Sequence, residues 1–459
     1  MTLLLSRRQQ WNGSKKGWYN KSMDKIFELI KKEKLRQKEQ LQMIPSENYA
    51  SAGVMKAVGS CLMNKYAEGL AGKRYYQGNK NVDEIERLCQ KRALEAFGLS
   101  EDKWGVNVQA LSGSPANLGV YNGLLEPGDK ILSMYLPDGG HLSHGWQIKD
   151  KKITLVSKIW KIGFYGVDKK TLVFDYKEIE KKALKFRPKM IICGGTAYPR
   201  EIDHRSMGKI AKKVGAFYLA DVAHEAGLIV GKANKSPFAD ADVVTMTTHK
   251  TLRGPRGALI FGKRKLMDKI NSSVFPGMQG GPHIHSMAGI AVALKEVKTE
   301  SFAKYAKQVV KNAQILAKEL KKTGLKVVSG GTDKHLVLLD LRSVGVSGWI
   351  AAWALEAVGI IVNRNTVPFE TASPYYPSGL RMGTPALTSR GMKEKEMKII
   401  AGWIIEVIET MKQEKLPEDK DKRKEFVKNF KQRIFKDKFL LGIGKQVKEL
   451  AIKYPVPGV

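Results

Sequence analysis

From Val106 to Lys263 the chain alternates short apolar runs with helical stretches and Gly-rich turns, and few architectures accommodate that rhythm. The runs are "VNVQ", "KILSMYL", "KMIICGG", "AFYLADVAH", "ADVVTMTTHK" and "GALIFGK", with helical stretches such as "ANLGVYNGLL" and "MGKIAKKVG" between them. The alternation predicts an α/β protein, a mainly parallel sheet flanked by helices. Ahead of it, "EIERLCQKRALEAF" puts Ile85, Leu88, Cys89 and Ala93 at helical spacing, with Gly98 as the stop. Past residue 300 the pattern changes to long helical stretches followed by "KVVSGG" and "HLVLLDL", which reads as a smaller α+β domain. The expected division is therefore a leader and charged helical arm (1–45), a large domain (46–299) and a small C-terminal domain (300–459). The arm is expected to pack on a partner or on the main domain.

Bulk properties narrow the class. The 459 residues suffice for a large core and at least two domains, and no apolar run is long enough to span a bilayer. "MTLLLSRRQQW" has too short an apolar stretch for a secretory signal, and the absence of acidic residues before Asp24 is a faint presequence trait. The stretch before Met23 is read as a ragged leader. Cys61, Cys89 and Cys193 are odd in number and form no C-x-x-C pair, which fits the cytoplasm and argues against disulfides or a zinc–cysteine site. The net charge of +34 would suit a nucleic-acid binder. It is spread along the chain, however, in runs such as "KKEKLRQKEQ" that also carry carboxylates and helical apolar spacing, as solvated helix faces do.

Several short segments carry chemistry. "ALSGSPANLG" (Ala110–Gly119) places small residues between a strand and a helix, either as a phosphate cradle or as a tight turn. "LADVAHEAGL" puts Asp221 at a strand end with His224 three residues on. A carboxylate there needs a cationic or donor partner, whether a protonated ring nitrogen or loop amides. "DGGHLSHGW" and "GGPHIHSM" hold four of the eight histidines, but neither has a recognised ligand pattern, so no metal site is expected. A histidine ring can instead stack on a planar cofactor. "GALIFGK" satisfies the spacing of a nucleotide-binding loop, yet Arg264 stands where Ser or Thr is needed and "ALIF" reads as a strand. "MNKYAEGLAGKRYYQG" sets Tyr66, Glu68, Tyr75 and Tyr76 among glycines, as in a binding or subunit interface. "SGLRMGTPA" offers Arg381 as a carboxylate fork, or as an ordinary surface arginine.

The remaining feature is Lys250 in "VVTMTTHKTLRGPRG", a lone lysine after a β-branched run and before a glycine-rich loop. A phosphate loop, a strand-end Asp, a stacking His and a lysine after a strand form the set a pyridoxal-phosphate enzyme needs. The lysine forms the Schiff base, and the Asp keeps the pyridine nitrogen protonated.

"MIPSENYAS", "NKYAEGLAGKRYYQG", "LSGSPAN", "GGHLSHG", "DVAHEAGL", "TTHKTLRGPRG", "FPGMQGG" and "SGLRMGTPA" resemble serine hydroxymethyltransferase, in family order and over nearly the whole chain. The resemblance implies the fold type I architecture of pyridoxal-phosphate enzymes and a homodimer with shared active sites, or a tetramer built from it. It implies conversion of serine and tetrahydrofolate to glycine and 5,10-methylenetetrahydrofolate. By motif match Lys250 is the Schiff-base lysine, with His249 beside it contacting the cofactor. Asp221 would pair with the pyridinium nitrogen, His141 would stack on the ring, and His224 and Thr196 would bond the ring oxygen. Gly113 and Ser114 would hold the phosphate, joined by Tyr66 and Gly281 of the other subunit. Arg381 and Ser46 would bind the substrate carboxylate, with Arg256, Tyr75 and Tyr76 around the substrate. Glu68, reaching across the dimer, would manage protons. Leu136, Gly140, His141, Leu142, Asn365, Ser373, Pro374 and Tyr375 would line the folate site.

Two other readings compete. A folate-independent threonine aldolase of the same fold would share the lysine and the phosphate loop, but not "YAEGLAGKRYY" or the folate-lining segments. An RNA-binding protein rests on the charge alone.

Overall fold

In the computed structural model, which describes residues 24–148 and 151–459, the alternating segments form a seven-stranded sheet. Its strands are β1 (Trp104–Asn107), β2 (Lys130–Met134), β3 (Lys161–Tyr165), β4 (Met190–Cys193), β5 (Phe217–Asp221), β6 (Val243–Thr247) and β7 (Ala258–Lys263). Side by side they run β1-β7-β6-β5-β4-β2-β3. Neighbours are parallel except where β7 lies antiparallel to both β6 and β1. The loop 248–257 is too short for the crossover that a parallel return requires, so β7 must come back antiparallel. "GALIFGK" is accordingly a strand, as its apolar run suggests.

Both faces of the sheet are covered, and successive residues point to opposite faces. Along β4, Ile191 and Cys193 join one core cluster while Met190 and Ile192 join the other. Along β5, Tyr218 and Ala220 belong to the first cluster and Leu219 to the second. Continuing that count puts Asp221 on the Leu219 face, along with Thr245 and Thr247 of β6. Helix α1 (Gly113–Leu124) covers this face through Ala116, Val120 and Tyr121. A carboxylate thus ends a strand directly beneath a helix, with the hydrophobic core behind it. The helix from Lys80 to Ala96 ends as its spacing predicts: Gly98 follows at φ 66°, a left-handed position where a Cβ would add strain.

A second, antiparallel sheet orders β8 (Lys326–Val327), β9 (Leu336–Asp340), β11 (Gly379–Gly383) and β10 (Asn363–Asn365) as β8-β9-β11-β10. It has its own core, but helix α2 (Glu300–Lys322) serves both. Phe302, Ala306 and Val309 pack with the first sheet, and Leu316, Ala317 and Leu320 with the second. Leu41 and Met43 also sit in the second core, where Leu41–Gln42 pairs parallel with Ile360–Ile361. The stretch before Met23, read from the sequence as a leader, lies outside the described residues. No helix among the described residues is long and apolar enough to cross a membrane.

The helix Lys25–Glu39 buries no residue of its own and is held by its end. The guanidinium of buried Arg390 donates to the carbonyls of Gln37, Lys38 and Gln40, and also to those of Ala451 and Tyr454. Three distant segments therefore meet on one side chain. Arg390→Met removes every one of these bonds and leaves the carbonyls to find other donors. The expected loss is about 3 kcal/mol, read as a lower urea midpoint with the slope unchanged.

Candidate active site

The strand-end carboxylate is the best-connected group in the region. Asp221 Oδ2 accepts from Asn117 Nδ2 at 2.8 Å and from His144 Nε2 at 3.0 Å, and Oδ1 accepts from the Ala223 amide at 3.0 Å. Asn117 lies on α1, where its Oδ1 accepts from Thr245 Oγ1 at 2.7 Å. Burial alone would raise this carboxyl, but the His144 hydrogen bond and the neighbouring His144 and His141 hold it well below the usual carboxylate range. Asp221 is therefore an anion at neutral pH. The sequence flags His144 only as one half of a histidine pair; its partner lies 77 positions away, beyond the reach of local patterning.

Lys250 sits in the short return between β6 and β7. Thr248 braces that loop at both ends, donating its amide to the Gly257 carbonyl at 3.1 Å and accepting from the Gly254 amide at 2.7 Å. Asn48 Nδ2 donates to the Lys250 carbonyl at 2.9 Å, which ties in the "PSEN" segment from the far end of the chain. Burial pushes the Lys250 amine down to about 8; Asp221 opposes the shift, while Arg381 and Arg256 add to it. Such an amine is neutral, and nucleophilic, far more of the time than a surface lysine.

Arg381 enters from β11 of the second sheet. Its Nη1 donates to the Thr196 carbonyl at 2.5 Å and its Nε to Asn363 Oδ1 at 3.1 Å. Burial lowers it to about 10, and no carboxylate pairs with it among the described residues. A half-buried guanidinium with no carboxylate partner has donors to offer an anionic ligand.

These groups share one cavity of about 630 Å³, within the usual range of small-molecule sites. Lys250, Asp221, His141, His224, His249 and Arg381 line it, as do Ser46, Thr196 and Arg256. Gly113 and Ser114 contribute the N-terminus of α1, and Leu136, Leu142, Asn365 and Pro374 form a further wall. At Gly113 a Cβ would come within 2.8 Å of Thr247 Cγ2, so only glycine lets the first turn of α1 approach β6 this closely. Burial pushes His141 down to about 4 and His249 to about 3, so both rings are neutral. His249 Nε2 faces Arg256 Nη1 at 3.2 Å. The donor set fits a pyridoxal-type cofactor: orphan amides at a helix N-terminus, a carboxylate, and a buried amine.

The other residues singled out from the sequence lie elsewhere on the chain. Tyr66, Glu68, Tyr75, Tyr76 and Gly281 do not line the Lys250 cavity. Tyr66 packs on Gly281 and donates to Glu68 Oε1 at 3.2 Å, with the Tyr76 ring at 5.1 Å. Tyr66 is 55% exposed and Tyr75 71% exposed. Gly140 touches the cavity wall indirectly, accepting from Thr196 Oγ1 at 2.8 Å, and Tyr375 lies under Arg364, 4.9 Å from its guanidinium. Ser373 accepts from the Tyr375 amide. Residues that sequence reading passed over include Asn117 and Ser143 near Asp221, and Glu47 and Arg364 on the cavity wall; His144 was noted only as one of a histidine pair. Glu47 was detectable as the neighbour of Ser46, while Asn117 lies inside the phosphate-loop motif, one helical turn after Gly113. No grouping of three or more metal-ligating side chains occurs among the described residues.

The sequence matches the family model for serine hydroxymethyltransferase over residues 20–404. This chain belongs to the serine hydroxymethyltransferase family. A serine hydroxymethyltransferase of Methanosarcina barkeri is 51% identical, over 90% of this chain and 98% of its own length. The cytosolic serine hydroxymethyltransferase of Oryctolagus cuniculus is 46% identical over 95% of this chain and 93% of its own, and one from Caenorhabditis briggsae 45% identical over 94% and 87%. The chain is thus a serine hydroxymethyltransferase-type transferase of the pyridoxal-phosphate-dependent class, with the mostly parallel sheet and flanking helices of that fold.

Proposed function

We propose that the Lys250 cavity is where this transferase holds pyridoxal 5′-phosphate, with the Lys250 amine as its covalent anchor. The observation that carries the reading is a buried amine sharing one cavity with a helix N-terminus, an ionised strand-end carboxylate and an arginine without a carboxylate partner among the described residues. When bound, the cofactor supplies an electron sink for negative charge at the substrate Cα.

The chain's own residues do the rest. Gly113 and Ser114 hold the phosphate at the positive end of α1, and Asp221 keeps a proton on the ring nitrogen. Neutral His141 lies over the ring, and Thr196, His224 and His249 bond its edge. Arg381 and Ser46 clamp the substrate carboxylate, Arg256 beside them, which fixes the Cα–Cβ bond relative to the ring. Leu136, Gly140, Leu142, Asn365, Ser373, Pro374 and Tyr375 receive tetrahydrofolate, the one-carbon acceptor. Tyr66, Glu68, Tyr75, Tyr76 and Gly281 serve the cavity of a second copy in a homodimer, because the three tyrosines are exposed here, Glu68 and Gly281 are half-buried, and none of the five lines its own chain's cavity. There Glu68 carries the proton of the hydroxymethyl group. The three free cysteines suit a reducing compartment such as the cytoplasm.

Treating the cofactor-loaded protein with borohydride and mapping its peptides tests this reading. The single modified peptide should contain Lys250. In the cofactor-free protein, capture of pyridoxal phosphate should speed up as pH rises through about 8, where Lys250 loses its proton, rather than near the value of a free lysine. Modification spread over surface lysines would sink the assignment.

A further inference from the structure

Two imidazoles meet behind the cavity. His224 Nδ1 lies 3.1 Å from His335 Nε2, and the stacked rings, 5.3 Å apart, are both buried. A hydrogen bond at that distance needs one proton between the two nitrogens, owned by one ring or the other. Their surroundings decide which. His335 Nδ1 is buried and has no hydrogen-bond partner among the described residues. If His224 owned the shared proton, a neutral His335 would carry its own on Nδ1, a buried donor with nothing to receive it. If His335 Nε2 owns it, Nδ1 is a bare lone pair, and an orphaned buried acceptor is tolerated better than an orphaned N–H. A doubly protonated His335 is disfavoured by burial and by Lys334 beside it, whose Nζ pairs with buried Glu225 at 2.6 Å.

We infer that His335 is a positioning residue: its Nε2–H donates to His224 Nδ1 and thereby fixes the proton of His224 on Nε2. That nitrogen is the one left for the cavity His224 lines, so the ring offers a donor beside Lys250, not an acceptor. Both ends are anchored. Thr251, next to Lys250, donates its hydroxyl to the His224 carbonyl at 2.9 Å, and the Thr384 amide donates to the His335 carbonyl at 3.0 Å. The tautomer stands on protein contacts alone. Its consequence, a hydrogen bond donated to the cofactor's ring oxygen, rests on the cofactor reading above.

Histidine-selective ¹⁵N NMR of the full chain, with and without pyridoxal phosphate, tests the assignment, using His224→Gln to identify the resonance. The expected pattern in both states is a protonated Nε2 and a bare Nδ1. His335→Gln, whose amide can donate, should keep that pattern. His335→Phe should lose it, shift the visible absorption of the bound cofactor, and lower kcat/KM for serine roughly tenfold, the size of one hydrogen bond. A proton on His224 Nδ1 in the unaltered protein overturns the inference, as does an unchanged pattern in folded His335→Phe. Should that variant not fold, the unaltered protein's pattern still decides. An intact Nε2–H pattern in a protein that fails to bind pyridoxal phosphate would uphold the tautomer and remove the cofactor reading instead.

Discussion

Lys250→Ala should lower the turnover of serine with tetrahydrofolate by on the order of 10⁴–10⁶-fold, the range seen when a covalent catalytic group is removed. It should do so without a fall in Tm. Burial already disfavours the charged form of Lys250, and its loop is braced by Thr248 and by Asn48 through backbone bonds that the substitution leaves intact. The variant should still take up pyridoxal phosphate, because the N-terminus of α1 and Asp221 remain. Gel filtration should then strip the cofactor that the unaltered protein retains. Activity within tenfold of the unaltered protein would contradict the role given to Lys250.

Arg381→Ala has the second-largest expected effect. Its guanidinium is half-buried and already oriented by Thr196 and Asn363, and no carboxylate among the described residues neutralises it. A bidentate, charge-assisted contact to a substrate carboxylate is worth about 3 kcal/mol, so kcat/KM for serine should fall roughly a hundredfold. The loss should appear mainly in KM, with pyridoxal phosphate retained. Arg381→Lys should recover little, since a point charge cannot reproduce the fork. If Arg381 were only a bridge between the two sheets, Tm would fall while KM for serine stayed constant.

Much of this arrangement is legible in the sequence. The strand runs are short, apolar and separated by glycine-rich turns, and burial on both faces of a sheet demands that pattern. Lys250 and Asp221 stood out as candidates because strand ends in such folds are where ligands bind, and the structure brings both to one cavity. The antiparallel return of β7 was not visible in its apolar composition; it follows from the length of the loop that carries Lys250. The double allegiance of α2 was also hidden. Its apolar stripe is continuous, and only tertiary packing assigns Val309 to one core and Leu316 to the other. The same holds for Leu41 and Met43, which lie in the stretch read as an arm yet fill the second core. Arg390 reads from its neighbours as an ordinary charge, because its carbonyl partners come from both ends of the chain. The partnership of His144 with Asp221, and of His335 with His224, joins segments far apart in sequence, so local chemistry missed both pairings and did not name His335 at all.

The visible spectrum of the protein loaded with pyridoxal phosphate and glycine, recorded before and after adding tetrahydrofolate, tests the central claim most directly. The Lys250 cavity is held to be a single site in which amino acid and folate chemistry are coupled. A new long-wavelength band that appears with glycine and grows strongly only on adding tetrahydrofolate is the predicted result. A response to glycine with no effect of tetrahydrofolate would contradict that coupling and favour the folate-independent aldolase reading of the same cavity.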